Sequence, residues 1–204
     1  MILLEDTRQQ AEKHNAKHRW FAEHGIEIRR QALYCGDYTL PTNQSVCIDT
    51  KKDIQELVSD ICGKQHDRFR NECIRAQEAG IKLIVLVENR SEKVGYGEIY
   101  NPVITKLEEL HKWKNPRLFI MSRGRQKYPK ATRGITLQKA CMTISAKYGT
   151  VFQFCTPEQS AQRIVELLTE GGEKSQNGTL FRHRYCQELW HTTCDTSQTH
   201  LLLD

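Results

Sequence analysis

The run IKLIVLV, Ile81 to Val87, is apolar on both of its faces, with Lys82 its one interruption. A half-buried strand alternates apolar and polar residues, so a strand that does not alternate must be covered on both sides, in the interior of a sheet with helices above and below. The flanking sequence supplies those helices. Ile54, Leu57, Val58 and Ile61 recur at helical spacing, and Phe69, Cys73 and Ala76 mark one face of a second helix from about His66 to Ala79, stopped at Gly80. Before them, Ile2-Leu3-Leu4 reads as a buried strand, a polar helix follows from about Arg8 to His24, Ile26 and Ile28 alternate as in a half-buried strand, and Val46 to Lys51 is a further strand.

The alternation continues toward the carboxyl end. Asn101-Pro102 has the form of a cap and first residue for a helix over Val103 to His111, and Leu118 to Met121 reads as a strand. Leu137, Cys141, Ile144 and Tyr148 belong to a helix that stops at Gly149, Val151 to Cys155 is a late strand, and Thr156-Pro157-Glu158-Gln159 has capping-box spacing ahead of Ala161, Ile164, Val165 and Leu168. Gly171-Gly172 closes that helix. These readings predict an α/β chain: one domain over residues 1–172, with a central mixed sheet flanked by helices, and a weakly ordered tail over 173–204.

Eight cysteines without a C-x-x-C pair sit mostly within periodic apolar segments, which suits reduced core thiols better than a disulfide framework. MILLED lacks the longer apolar region of a secretory signal, and no segment reaches membrane-spanning length. The expectation is a cytoplasmic protein with no membrane partner.

The formal charge is +5 in 204 residues, modest as a total but uneven along the chain. Between Leu110 and Pro157 there is no Asp or Glu, yet Lys112, Lys114, Arg117, Arg123, Arg125, Lys127, Lys130, Arg133, Lys139 and Lys147 all fall there. Cations gathered without acids repel one another unless a polyanion faces them, so the segment points to phosphates, the bland reading being a solvated basic loop; Trp113 and Tyr128 are available to stack on bases, and Trp113 equally to anchor the core.

In GDYTLPTNQSVCIDTKK a strand that enters the core ends in Asp49-Thr50-Lys51-Lys52. Side chains two apart on a strand leave the same face, about 7 Å apart at the backbone. Asp49 therefore stands beside Lys51, and Asp37 arrives from the preceding turn. Carboxylates of this kind suit Mg²⁺, with Mn²⁺ able to substitute, and an adjacent ammonium can hold a water or an anionic oxygen. The bland reading is a strand-end surface pair worth little. Glu88 could join these acids, although a strand-end glutamate is more often simply solvated, and His66 could approach a phosphate, with helix capping an equally good account of it.

The stretches EDTR, GIEIRRQALYCGDYTLP, IDTKKDIQEL, HDRFRNE and GIKLIVLVEN, over about residues 1–90, resemble the nuclease domain of the XPF/Hef structure-specific endonucleases, within the PD-(D/E)XK superfamily. The later WKNPR and YPKATRG segments resemble compact phage or bacterial relatives. The resemblance implies a restriction-endonuclease-like domain that hydrolyses DNA with Mg²⁺. Asp37 and Asp49 would be metal ligands, Lys51 would orient the attacking water, Asp6 would be the upstream acid accompanied by Arg8, and Arg68 would open the second helix with Glu72 one turn later. Three positions depart from the family pattern: Thr50 replaces an arginine, Gln9 a glutamate, and Gln55 the acid four residues after the lysine. A nucleic-acid-binding pseudonuclease in a replication or recombination assembly is the competing expectation. Relatives often form dimers, so a homodimer is a further one.

The tail holds His183, Cys186, His191 and Cys194, residue types that suit zinc. Their spacing departs from zinc-finger patterns, and no zinc is expected there.

Overall fold

The structure, a computed structural model, describes residues 1–9, 14–95 and 97–173. The tail beyond them, with His183, Cys186, His191 and Cys194, lies outside the described residues.

The doubly apolar run forms β5 (Lys82–Glu88). It lies between β4 (Asn43–Lys51) and β10 (Val151–Cys155), parallel to both. On the far side of β4 the sheet continues through β3 (Tyr38–Leu40), β1 (Ile2–Asp6) and β2 (Glu27–Gln31), giving six strands in the order β10-β5-β4-β3-β1-β2. β3 is antiparallel to both neighbours, so the sheet is mixed. β1, β4, β5 and β10 consequently end at the same edge, and the turn that enters β3 sits there too.

Alternation along β4 divides the core. Cys47, with Leu83, Val85 and Val87 of β5, packs under α2 (Ile54–Cys62), α3 (His66–Glu78) and α4 (Gly134–Tyr148). Val46 and Ile48, with Ile84 and Leu86, pack under α1 (Asn15–Glu23) and α5 (Ser160–Glu173). Cys35, Cys47, Cys73, Cys141 and Cys155 are buried free thiols and Cys62 is an exposed one. Among the described residues no helix is long and apolar enough to cross a membrane.

Four expectations need correction. The first helix starts at Asn15 rather than Arg8, because Arg8 is turned back onto Asp6. No α-helix covers Val103 to His111. There the Asn89 side chain accepts from Ile104 N at 2.6 Å and donates to Ile104 O at 2.9 Å, while Asn101 spans to Lys114, so the chain is held extended until a 3-10 turn over Leu107–Lys112. The strand expected at Leu118 is a 3-10 turn, Pro116–Phe119, capped by Asn115; only β8 (Met121–Ser122) follows, paired with β9 (Arg125–Gln126) as a separate hairpin. A second small ribbon pairs β6 (Glu92–Lys93) with β7 (Tyr100–Asn101). Finally, Gly171-Gly172 does not close α5, whose backbone runs on to Glu173.

Candidate active site

The site is built where β4 ends. Asp49 and Lys51 leave the face covered by α2 and α3, and both are buried, at 5% and 8% exposure. The GDY turn is fastened beside them. Gly36 has φ +69°, and a Cβ there would stand 2.9 Å from Ile48 O, so only glycine permits this approach. Asp37 N then donates to Ile48 O at 2.6 Å, and Asp37 Oδ2 accepts from Thr50 N at 2.7 Å and Thr50 Oγ1 at 2.6 Å. Thr50, a departure from the family pattern, thus holds the Asp37 carboxylate. Glu72, from α3, accepts from Gly36 N at 2.9 Å and braces the same turn.

Lys51 lies between two acids. Its Nζ is 2.8 Å from Asp49 Oδ2 and 2.8 Å from Asp60 Oδ2, and 5.5 Å from the Phe69 ring centroid. The Asp49 contact is an ion pair by distance only, since Asp49 Oδ2 is buried without an aligned hydrogen-bond donor. Burial pushes the Asp49 carboxyl up to about 8, with Asp37 and Glu72 adding repulsion against the pull of Lys51. Lys51 is itself pushed upward: its two carboxylates outweigh the cost of burial. A neutral Asp49 and a charged Lys51 look inconsistent until Asp60 is counted, because the ammonium keeps that partner whichever form Asp49 takes. The lysine therefore stays charged in either case.

Asp6 is not free. Its Oδ1 accepts from Arg8 N at 2.9 Å, and its Oδ2 accepts from Arg8 Nε at 2.7 Å and also from Nη2. Asp6 and Arg8 form a fork at the end of β1, with Asp37 and Glu72 within the field of the guanidinium. Arg68 is exposed and, with Lys51, Glu56, Asp60, Phe69 and Glu72, lines a cleft of about 60 Å³. The cleft is the way in to Lys51.

Two acids escaped the sequence reading. Glu56, rather than Gln55, turns back on the strand, accepting from Lys52 N at 2.8 Å, while Asp53 caps α2 through Glu56 N at 2.7 Å. The Asp53-x-x-Glu56 spacing was the available signal. Asp60 flanks the buried stripe of α2, and nothing local marks it. Glu88 is neither solvated nor part of this cluster: it faces α1 and α5, with Lys17 Nζ at 2.5 Å and Ser160 Oγ donating at 2.8 Å. His66 stays exposed beside Asp67.

The residues suit a hard cation. Asp37 keeps an oxygen without a donor among the described residues and Asp49 Oδ2 lacks an aligned one. Two carboxylates completed by waters and substrate oxygens are what Mg²⁺ favours. Among the described residues no group of three or more His, Cys, Asp or Glu side chains is placed to hold a metal ion, so protein ligands alone would not complete the site.

The sequence matches the ERCC4 domain over residues 6–168. The chain belongs to that family. XPF from Aeropyrum pernix in complex with DNA superposes with a TM-score of 0.52 at 17% identity, covering 84% of this chain and 65% of that one. XPF from Aeropyrum pernix alone gives 0.52 at 13% identity, covering 87% and 68%. The chain thus spans about two-thirds of the length of the XPF chains it matches. Curated proteins give no match. By family this is an ERCC4 domain, and its fold is that of the XPF chains.

In this ERCC4 domain, Lys112, Lys114, Arg117, Arg123, Arg125, Lys127, Lys130 and Arg133 are all exposed. Among the described residues only Lys112 of these eight pairs with an acid, Glu109 at 3.1 Å. Arg117 and Lys127 lie 6.0 and 5.3 Å from the ring of Tyr128, itself 39% exposed, whereas Trp113 is 4% exposed and serves the core. Gly134 starts α4 against Trp113 O and Leu110 O, where a Cβ would stand 2.3 and 2.5 Å away. That packing, with α4 set against α2, brings the basic segment to the side of the domain where the loop after α2 leads to Arg68.

Proposed function

We propose that this ERCC4 domain is a cation-dependent endonuclease that hydrolyses phosphodiester bonds in DNA, with a preference for branched or unpaired structure. The observation that carries the reading is the meeting of Asp37, Asp49 and Lys51 at one strand end, with a buried carboxylate oxygen short of a donor. Asp37 and Asp49 would hold Mg²⁺, or Mn²⁺ in its place. Such a cation supplies charge stabilisation to a phosphoryl oxygen and acidifies water.

The chain's own residues carry the rest. Lys51 donates to the attacking water and fixes its direction, buried enough that the contact is worth more than it would be in bulk solvent. The water oxygen bonds to phosphorus as one ester P–O bond breaks; the water gives up a proton and the departing alkoxide takes one. Arg68, at the mouth of the cleft, meets a phosphate oxygen beside the scissile bond. Glu72 and Thr50 keep Asp37 in place, and the Asp6–Arg8 fork braces the turn without acting as a ligand. The eight exposed cations hold the backbone on either side, and Tyr128 offers a face to an unpaired base.

A second reading, a DNA-binding domain without hydrolysis, is favoured by the position of Lys51, whose ammonium already lies against the Asp49 oxygen a cation would use. Labelled flapped, branched, single-stranded and duplex DNA, incubated with Mg²⁺, Mn²⁺ or EDTA, separates the two. Cation-dependent cutting that Asp49→Asn and Lys51→Ala abolish, with binding retained, supports the nuclease. Salt-sensitive binding with no cutting under any of these conditions supports the second reading.

A further inference from the structure

Asp60 has no assigned role, yet its Oδ2 is 2.8 Å from Lys51 Nζ, the same distance as Asp49 Oδ2 on the opposite side of the ammonium. All three are largely withdrawn from water: counting side-chain atoms alone, Asp49 is 7% exposed, Lys51 10% and Asp60 15%. Asp60 belongs to a helix whose Ile54, Leu57, Val58 and Ile61 are buried in the core, so its carboxylate is anchored by packing rather than carried on a loop. Beneath, the Phe69 ring limits where the lysine can swing. An ammonium in this position has two partners and few other directions open to it.

Two carboxylates on one lysine are more than its charge requires. The surplus makes sense if one of the acids has a second task. Asp49 is the candidate, since it lies beside Asp37 and carries the oxygen without an aligned donor. A lysine held only by Asp49 would close that oxygen to any cation and would lose its anchor if the cation won. A lysine held also by Asp60 stays anchored while Asp49 is engaged elsewhere.

We propose that Asp60 is a positioning residue: it retains the Lys51 ammonium at the cleft, releasing Asp49 to a divalent cation and fixing the direction in which Lys51 presents its protons to water. This inference rests on the nuclease reading. It adds a residue outside the Asp37, Asp49 and Lys51 set, one that touches neither substrate nor cation and acts through the lysine.

The test is a double-mutant cycle on the full chain with two readouts. Mn²⁺ affinity is measured by titration of the free protein, and steady-state cleavage of a flapped DNA is measured for kcat and KM separately. With Lys51 present, Asp60→Asn leaves the lysine to Asp49 alone, so Mn²⁺ affinity falls about 10-fold and kcat falls at least as much, with KM little changed. In a Lys51→Met background the same Asp60→Asn change moves Mn²⁺ affinity less than about 2-fold, because the competitor is gone. Asp60→Glu restores most of both. Equal losses of Mn²⁺ affinity with and without Lys51 would mean that Asp60 contributes only bulk negative charge, and would overturn the proposal. So would an unchanged affinity and kcat in Asp60→Asn, which would make the contact an incidental ion pair. If the parent protein neither takes up Mn²⁺ nor cuts, the nuclease reading itself has failed and this inference falls with it. If the parent does both and only the coupling is missing, the failure is confined to Asp60.

Discussion

The two faces of the sheet bury acids at the same edge and treat them differently. Toward α1 and α5, Glu5 Oε1 has the Tyr38 hydroxyl at 3.0 Å and His18 Nε2 at 2.7 Å, its Oε2 is 3.2 Å from Arg30 Nε, and Glu88 has Lys17 and Ser160. Toward α2 and α3, Asp49 has an ion pair without an aligned donor, and its neighbours add negative charge. These acids stand on β1, β4 and β5, and the difference comes from what packs beside each: α1 and two neighbouring strands supply the partners of Glu5, and α1 and α5 those of Glu88. Toward α1 and α5 each carboxyl group accepts from at least one hydrogen-bond donor, although Glu5 Oε2, like Asp49 Oδ2, meets its cation without an aligned one. Toward α2 and α3, among the described residues, Asp49 is left with no aligned donor beside a cleft, which destabilises the site and leaves binding capacity there.

The largest effect that distinguishes the faces is on cleavage. Asp49→Asn or Lys51→Ala is expected to lower the single-turnover rate by about 10³-fold or more, while Glu88→Gln leaves the rate per folded molecule within about 3-fold. A comparable loss in all three variants would erase the distinction. Next is stability. Lys17→Met strands the buried Glu88 carboxylate and should cost about 3 kcal/mol in urea unfolding, the usual penalty for breaking a buried pair on one side. Asp49→Asn should cost nothing and is expected to stabilise the cation-free protein.

The pH dependence sharpens that last point. The Asp49 carboxyl titrates near 8 in the folded chain against an ordinary value of 3.8, so between those limits the native state holds a proton that the unfolded chain has released. Stability contributed by this group therefore falls as pH rises through that window and levels off above it. Relative to Asp49→Asn, which does not titrate, the wild-type protein should lose at most about 1.4 kcal/mol per pH unit between pH 5 and 7 in EDTA, measured by urea unfolding. A flat difference would place Asp49 in a better-solvated setting than this account gives it. The smallest effect belongs to the basic surface: Arg123→Ala or Arg125→Ala should reduce the salt slope of DNA binding by about one unit each and leave Mn²⁺ affinity unchanged.

Much of this was legible in residues alone. The doubly apolar Ile81 to Val87 run required a covered central strand, and the i, i+3, i+4, i+7 pattern from Ile54 gave α2 its true extent. Asp37, Asp49 and Lys51 were readable because strand spacing fixes which side chains share a face and the GDY glycine fixes where the turn must lie. What escaped depends on contacts distant in sequence. Asn89 and Asn101 override a helix-like cap by bonding backbone 13 to 15 residues away. Asp60 reaches Lys51 only because α2 folds back over the end of β4, and Glu88 is paired only because α1 and α5 converge on it. Side-chain partners of that kind are properties of packing, which no local pattern encodes.

The most direct measurement of the central claim is single-turnover cutting of a flapped DNA in Mg²⁺ by the wild-type chain and by Asp49→Asn, with binding followed in the same samples. The account predicts cutting by the first, none by the second, and affinities within about 3-fold of each other. Equal cutting by both, or firm binding without cutting by the wild type, would contradict it.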